Sequence, residues 1–139
     1  MMTRMTCVAL VLFLPTLVVG CGGNKQKLTG TVTFSDDESP VKAGIVILEN
    51  NGKMGRGEID ANGKFVMGFE SNKDGIPKGE TYKVTIVNAL EQTGTDRSGM
   101  PIMTPLIDPK YSEPTTSGFT FTSDGKANTL DLKVDRYKQ

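Results

Sequence analysis

Leu28-Thr29-Gly30-Thr31-Val32-Thr33-Phe34 decides the fold. Leu28, Val32 and Phe34 share one face and the three threonines the other, the period of two that marks a strand buried on one side. Beyond it, residues 35–40 form a polar turn carrying Asp36, Asp37 and Glu38. Ala43-Gly44-Ile45-Val46-Ile47-Leu48 is an apolar run short enough to be a strand covered on both faces. Asn50-Asn51-Gly52 signals a turn, because Asn and Gly tolerate positive φ. Residues 55–59 and 64–69, separated by Asp60-Ala61-Asn62-Gly63, are expected to pair as a hairpin. Residues 81–87 alternate again, with Tyr82, Val84 and Ile86 inward, and residues 119–122 and 129–134 are expected to close the domain as a second hairpin. Residues 88–111 break the rhythm with Gly94, Gly99, Pro101, Pro105 and Pro109 and read as one long loop, apart from a helical turn near residues 108–111. Seven short strands with frequent turns predict an all-β, seven-stranded two-sheet β-sandwich, with a small barrel as second choice.

The chain has 139 residues, enough for one domain, and its 16 Lys+Arg balance 16 Asp+Glu. With charges of both signs interspersed there is no basic stripe to neutralise phosphates, so no nucleic-acid partner is expected. The absence of histidine excludes His-based triads, His general bases and His-ligated zinc. No cofactor motif is present, and no catalytic residue is assigned.

Upstream, Arg4 precedes an apolar stretch over residues 7–19, the layout of a secretory leader and too short for the roughly 20 residues that cross a bilayer. Val18-Val19-Gly20-Cys21 then resembles a bacterial lipobox, in which cleavage between Gly20 and Cys21 frees a cysteine whose thiol takes the diacylglyceryl group. Residues 1–20 are read as the lipoprotein signal peptide, 21–27 as a lipidated flexible tether, 28–134 as the sandwich and 135–139 as a C-terminal tail. Cys7 leaves with the leader and Cys21 is acylated, so the mature chain retains no thiol for a disulfide or a metal. Two or more acyl chains hold a protein on a membrane stably, each buried methylene contributing ~0.8 kcal/mol.

The order Thr29-Gly30-Thr31-Val32-Thr33-Phe34, Pro40-Val41-Lys42-Ala43-Gly44-Ile45-Val46-Ile47, Asp60-Ala61-Asn62-Gly63-Lys64-Phe65 and Pro77-Lys78-Gly79-Glu80-Thr81-Tyr82-Lys83-Val84 resembles the carboxypeptidase regulatory-like (transthyretin-like) domain. Asp36-Asp37-Glu38-Ser39 stands where that family has a Gly-rich turn, and Glu58-Ile59-Asp60 where it has Thr-Asp. Asp108-Pro109-Lys110-Tyr111-Ser112 followed by Ser117-Gly118-Phe119-Thr120 is similar to the ending of small bacterial lipoproteins of this type. The resemblance implies a prealbumin-like sandwich without enzymatic activity, serving as a folding, docking or ligand-contact module. The purine-catabolite hydrolases that share the fold need histidines, which this chain lacks.

Three patterns carry weaker chemical echoes. Asp60-x-Asn62-Gly63 and Asn72-Lys73-Asp74-Gly75 each match part of a calcium loop but lack its later bidentate Glu, and they are read as turns in which Asp and Asn bond their own backbone. Asp36, Asp37 and Glu38 point in different directions from a turn and are read as solvated rather than as an acid/base pair. Ser117-Gly118 has neither a nucleophile elbow nor a His partner.

These features predict a membrane-anchored module of the bacterial cell envelope that contacts an envelope protein or a glycan; the alternative is a small-ligand-binding protein of transthyretin type. Contact residues are expected within 88–111. Met100, Ile102 and Met103 are the candidates, the thioethers being suited to adaptable contacts, while Leu106 and Ile107 are expected to fold back and close an end of the sandwich. Intact-mass analysis from native membranes should find Cys21 as the acylated N-terminus, and Cys21→Ser should release or strand the domain; an unmodified Cys21 thiol would remove the anchor reading.

Overall fold

The computed structural model describes residues 25–69, 75–126 and 129–138, so Gly20, Cys21 and the leader lie outside the described residues. In chain order the strands are β1 (Lys25–Gln26), β2 (Thr29–Phe34), β3 (Ile45–Asn50), β4 (Lys53–Glu58), β5 (Lys64–Val66), β6 (Gly68–Phe69), β7 (Ile76–Pro77), β8 (Thr81–Val87), β9 (Leu90–Thr95), β10 (Pro101–Pro105), β11 (Phe119–Thr122) and β12 (Thr129–Val134), with a short 3-10 helix at Pro109–Ser112. Five strands form one sheet in the order β11-β8-β3-β4-β6, and three form another in the order β12-β2-β5. Val32, Phe34, Phe65, Leu130, Leu132 and Val134 from the smaller sheet meet Val46, Leu48, Tyr82, Val84, Ile86 and Phe121 from the larger in one core. The architecture is the expected all-β sandwich, and the seven strand segments read from the sequence supply both of its sheets.

The connections differ from expectation in three places. Residues 64–69 do not form one arm of a simple hairpin: β5 pairs with β2, whereas β6 pairs with β4, so a single segment serves both sheets. The switch falls at Met67, which is fully buried and whose N–H bonds Leu28 O at 2.8 Å. Nor do residues 119–122 and 129–134 form a hairpin. β11 pairs antiparallel with β8, and β12 pairs parallel with β2 over six residues, from Thr129↔Thr29 to Val134↔Phe34. In β3 only Val46 and Leu48 are fully buried, while Ile45 and Ile47 are partly open, because just one face of the larger sheet meets the core.

Phe65 holds the two sheets in register. A Cβ on Gly30 of β2 would lie 2.4 Å from Phe65 Cζ and 2.0 Å from Leu130 O, and a Cβ on Gly57 of β4 would lie 3.0 Å from Phe65 Cδ2. One ring therefore fills the space that two glycines, one on each sheet, leave open. The turn that feeds Phe65 is also fixed: Asp60 Oδ1 accepts from Asn62 N and Lys64 N, and Gly63 takes φ of 75° with Val32 O and Pro40 where a Cβ would go.

The segments assigned to tether and tail take part in the fold. Lys25 and Gln26 pair with β7, and Gln26 is buried. Arg136 bridges to Ile107, and Tyr137 N–H bonds Leu106 O. β8 separates two poles by roughly 20 Å, at about 3.3 Å per residue. Its Thr81 end lies near β1, β7 and the Asn51–Gly52 turn, through Gly125 N to Gln26 Oε1 and Asn50 Nδ2 to Glu80 Oε2. Its Val87 end lies near the 3-10 helix, the Asp36–Ser39 turn and residues 88–107.

Gly30→Ala should cost about 1–3 kcal/mol through overpacking against Phe65 and Leu130 O. Gly94→Ala, whose Cβ would find only Ile102 Cδ1 at 3.9 Å, should leave the melting temperature nearly unchanged. Equal effects of the two substitutions would contradict this packing.

Candidate functional site

Residues 88–111 are not a loop. β9 and β10 form a separate two-stranded antiparallel ribbon. Asn88, at φ of 54°, turns the chain out of β8, and the Asp96–Gly99 turn closes the tip: Asp96 Oδ1 accepts from Ser98 N and Met100 N, and Gly99 takes φ of 84°. Strand alternation is hard to see in this sequence because neither ribbon face is buried; residues 90–103 are exposed almost throughout. Pro101 and Pro105 looked like breakers, but an edge strand accepts proline wherever its N–H would face solvent.

Both edges of the ribbon carry features that hinder further strand pairing. Leu106 N bonds Ala89 O at the foot and Asp96 N bonds Met100 O at the tip. Alternation between these bonds turns the main chain of Pro101, Met103 and Pro105 outward, and two of those three lack an N–H. On β9 the register shifts opposite Ile102 and Met103, placing a bulge at Thr93 that interrupts the outward groups of that edge. Recognition through the ribbon therefore uses its faces.

The three candidate contact residues divide between those faces. Met100, 64% exposed, sits at the tip. Ile102 and Met103, 47% and 48% exposed, are neighbours on β10 and so point to opposite sides. Ile102 lies with Thr104 and Thr93, whose hydroxyls are 2.9 Å apart. Met103 lies with Gln92, and beyond it with the facing pair Leu90 and Pro105. Leu90 and Pro105 also line an open groove of about 270 Å³ at the foot of the ribbon, with Ile86, Ile107, Asp108 and Pro109. The Met103 face thus runs without interruption into an apolar groove, a continuity that the sequence reading missed because Ile86 and Ile107 come from elements on either side of the ribbon. Ile107 is 5% exposed and Leu106 packs on the core, closing the sandwich end as expected.

An ionic clasp supports this pole. The Arg136 guanidinium lies 3.7 Å from the Phe34 ring centroid and reaches Asp36 Oδ2 and Asp37 Oδ2, each at 2.8 Å, and Ser39 Oγ at 2.9 Å. Lys133 pairs with Glu38. Lys110 Nζ and Tyr111 Oη meet Asp135 Oδ2 at 2.6 and 3.1 Å, and the Tyr111 ring stacks on Phe119 at 5.3 Å. The acidic turn is thereby a set of paired carboxylates and not merely solvated. The Ser39 hydroxyl and amide, with Arg136 beyond them, hold Asp37 down at about 2; Lys110, Ser35 and Tyr111 hold Asp135 at about 2. Ser117, buried, donates to Val84 O at 2.6 Å and serves the fold. Asp60 serves its turn in the same way. Among the described residues no group of three or more His, Cys, Asp or Glu side chains is placed to hold a metal ion, and no helix is long and apolar enough to cross a membrane.

No known protein family matches the chain, and no curated protein matches it. Among solved structures it is similar to the major pilin subunit of Bacillus cereus, at 19% identity and a TM-score of 0.47, over 83% of this chain and 30% of the pilin. It is also similar to a 9R-lipoxygenase from Cyanothece, at 17% identity and a TM-score of 0.36, over 79% of this chain and 16% of the enzyme. The chain spans less than a third of either protein, and neither likeness carries an argument about activity.

A carboxylate held below its unfolded value contributes stability above that value and loses it as pH falls through the folded one. Asp37 and Asp135 titrate from 3.8 when unpaired and from about 2 when folded, so their contribution is complete above about pH 4 and fades toward pH 2. Lys110→Met removes the first cause of the Asp135 shift and should flatten the dependence of stability on pH in that window. An unchanged slope would contradict the Asp135 pairing.

Proposed function

We propose that this chain is a non-catalytic lipoprotein of the bacterial cell envelope, held to a bilayer through Cys21, whose β9–β10 ribbon contacts a protein partner. The lipobox-like Val18-Val19-Gly20-Cys21 supports the anchor. The carboxypeptidase regulatory-like resemblance supports a docking role. The observation that carries the reading is the ribbon itself: a two-stranded hairpin is marginal in water, yet this one stands out from the sandwich with guarded edges and an apolar face. It lies at the pole opposite β1, the described strand nearest Cys21, so a short tether leaves it facing away from the bilayer.

The small-ligand reading has less support. The groove is open and shallow rather than enclosed, and of its lining residues only Asn88, Asp108 and Ser112 carry polar side chains. Of the candidate contact residues Met100, Ile102 and Met103, the reading rests most on Met103, whose face is continuous with the groove.

A photo-cross-linker at position 103 of the lipidated chain in native membranes should capture a protein partner, while one at position 52, near the tether, should not. Met100→Ser with Met103→Ser should leave the melting temperature nearly unchanged and lower that capture. An unfolded double variant, or undiminished capture, would place the contact surface elsewhere.

A further inference from the structure

Charges of both signs alternate along the sequence, but the fold gathers lysines at one pole. At the Thr81 end of β8, Lys25 lies opposite Pro77 in the β1–β7 pair, and Lys78 follows directly. The Lys78 side chain passes the Ser123–Lys126 turn, its Cδ 4.0 Å from where a Cβ on Gly125 would lie. Lys27 leads into β2 at the same end, where Thr29 pairs with Thr129 just beyond that turn, and Lys53 stands across the Asn51–Gly52 turn. The acids there are already engaged: Glu80 is bound by Lys53 at 2.6 Å, Asp124 Oδ1 accepts from Lys126 N at 2.9 Å, and Glu49 lies opposite Lys83. Lys27, Lys78 and Lys126 are exposed and have no ion pair among the described residues. The pole thus sets Lys25, Lys27, Lys53, Lys78 and Lys126 against Glu80 and Asp124; adding Glu70, Lys73 and Asp74, which lie outside the described residues, keeps the balance positive, six against four.

We propose that this lysine pole rests on anionic lipid headgroups, Lys27, Lys78 and Lys126 taking lipid phosphates as their counter-ions. The proposal rests on the reading of Cys21 as the anchor and adds a second contact with the same bilayer. Lys25 is already paired into the fold, so four residue steps separate the pole from Cys21, a reach of about 14 Å at most. Exposed charges act over ~10 Å at 0.1 M salt, and lysine stems extend their ammonium groups toward the surface, so the tether brings the pole within range of the phosphates. Acyl chains set the distance of the domain from the bilayer but not its tilt. Each lysine at an anionic surface shifts the contact equilibrium about fivefold, enough in combination to orient a domain that the acyl chains already hold.

The full lipidated chain, with a fluorophore at position 52, is placed in vesicles of phosphatidylcholine alone or with phosphatidylglycerol added, each carrying headgroup quenchers. Phosphatidylglycerol should raise the quenching, and added salt should reverse the rise. Lys78→Gln with Lys126→Gln should lower the contact equilibrium roughly 25-fold and remove most of that rise, leaving the quenching in phosphatidylcholine unchanged. Lys64→Gln with Lys138→Gln removes the same charge away from the pole and should keep the rise; all four side chains are exposed, and the melting temperature checks that both variants fold. Equal quenching in the two kinds of vesicle would overturn the headgroup contact and leave the anchor standing. A chain that joins vesicles only when they contain phosphatidylglycerol would overturn the anchor and leave the lysine pole standing, and one that joins neither would overturn both. An equal loss in the two double variants would overturn the assignment to this pole. Inorganic phosphate that abolishes the rise, where chloride at the same ionic strength does not, would overturn the lipid as ligand in favour of a free anion.

Discussion

The ring of Phe65 occupies a space bounded by Gly30 on one sheet and Gly57 on the other, and most of the architecture depends on that insertion. Any side chain at Gly30 would collide with the ring and with Leu130 O, so β2 can lie between β5 and β12 only because Gly30 has none. The same ring sits where residues 64–69 divide between the two sheets. Phe65 must point into the core beside β2, and the chain then crosses at Met67 to pair with β4. β2 and β12 pair in parallel on the other side of Gly30, a contact between residues a hundred positions apart that closes the domain.

That closure delivers the C-terminal residues to the far pole. Asp135 and Arg136 follow directly from β12 and meet the acidic turn that follows β2, so the ion pairs there depend on the parallel register. They are exposed, and exposed pairs contribute little to stability singly. Their arrangement matters more as a brace: Asp135 ties Lys110 and Tyr111, which fix the 3-10 helix behind Ile107, while Arg136 bridges to Ile107 itself. The foot of the ribbon is therefore set on residues tied to one another by these contacts.

What could be read from the sequence follows from what is buried. β2, β8 and β12 alternate because one face meets the core, and their inward residues are legible one by one. The Asn51–Gly52 and Asp60–Gly63 turns are legible because positive φ selects glycine. The parallel pairing of β12 is not, since alternation fixes a strand's faces but not its neighbour. The ribbon hides for the opposite reason: with both faces wet, nothing forces its residues into a pattern, and its edge-guarding prolines imitate a loop. Exposure of Met100, Ile102 and Met103 was legible as excess apolar surface. That Ile102 and Met103 oppose each other needed the register.

The central proposal is that Cys21 anchors the chain to a bilayer and that the ribbon faces away from it. Fluorophores at positions 52 and 97 of the lipidated chain in vesicles, with quenchers attached to the lipid headgroups, measure it directly. The account predicts strong quenching at position 52, near β1, and little at position 97, which lies beyond the full length of β8, roughly 20 Å farther out. Equal quenching at the two positions, or stronger quenching at 97, would contradict it.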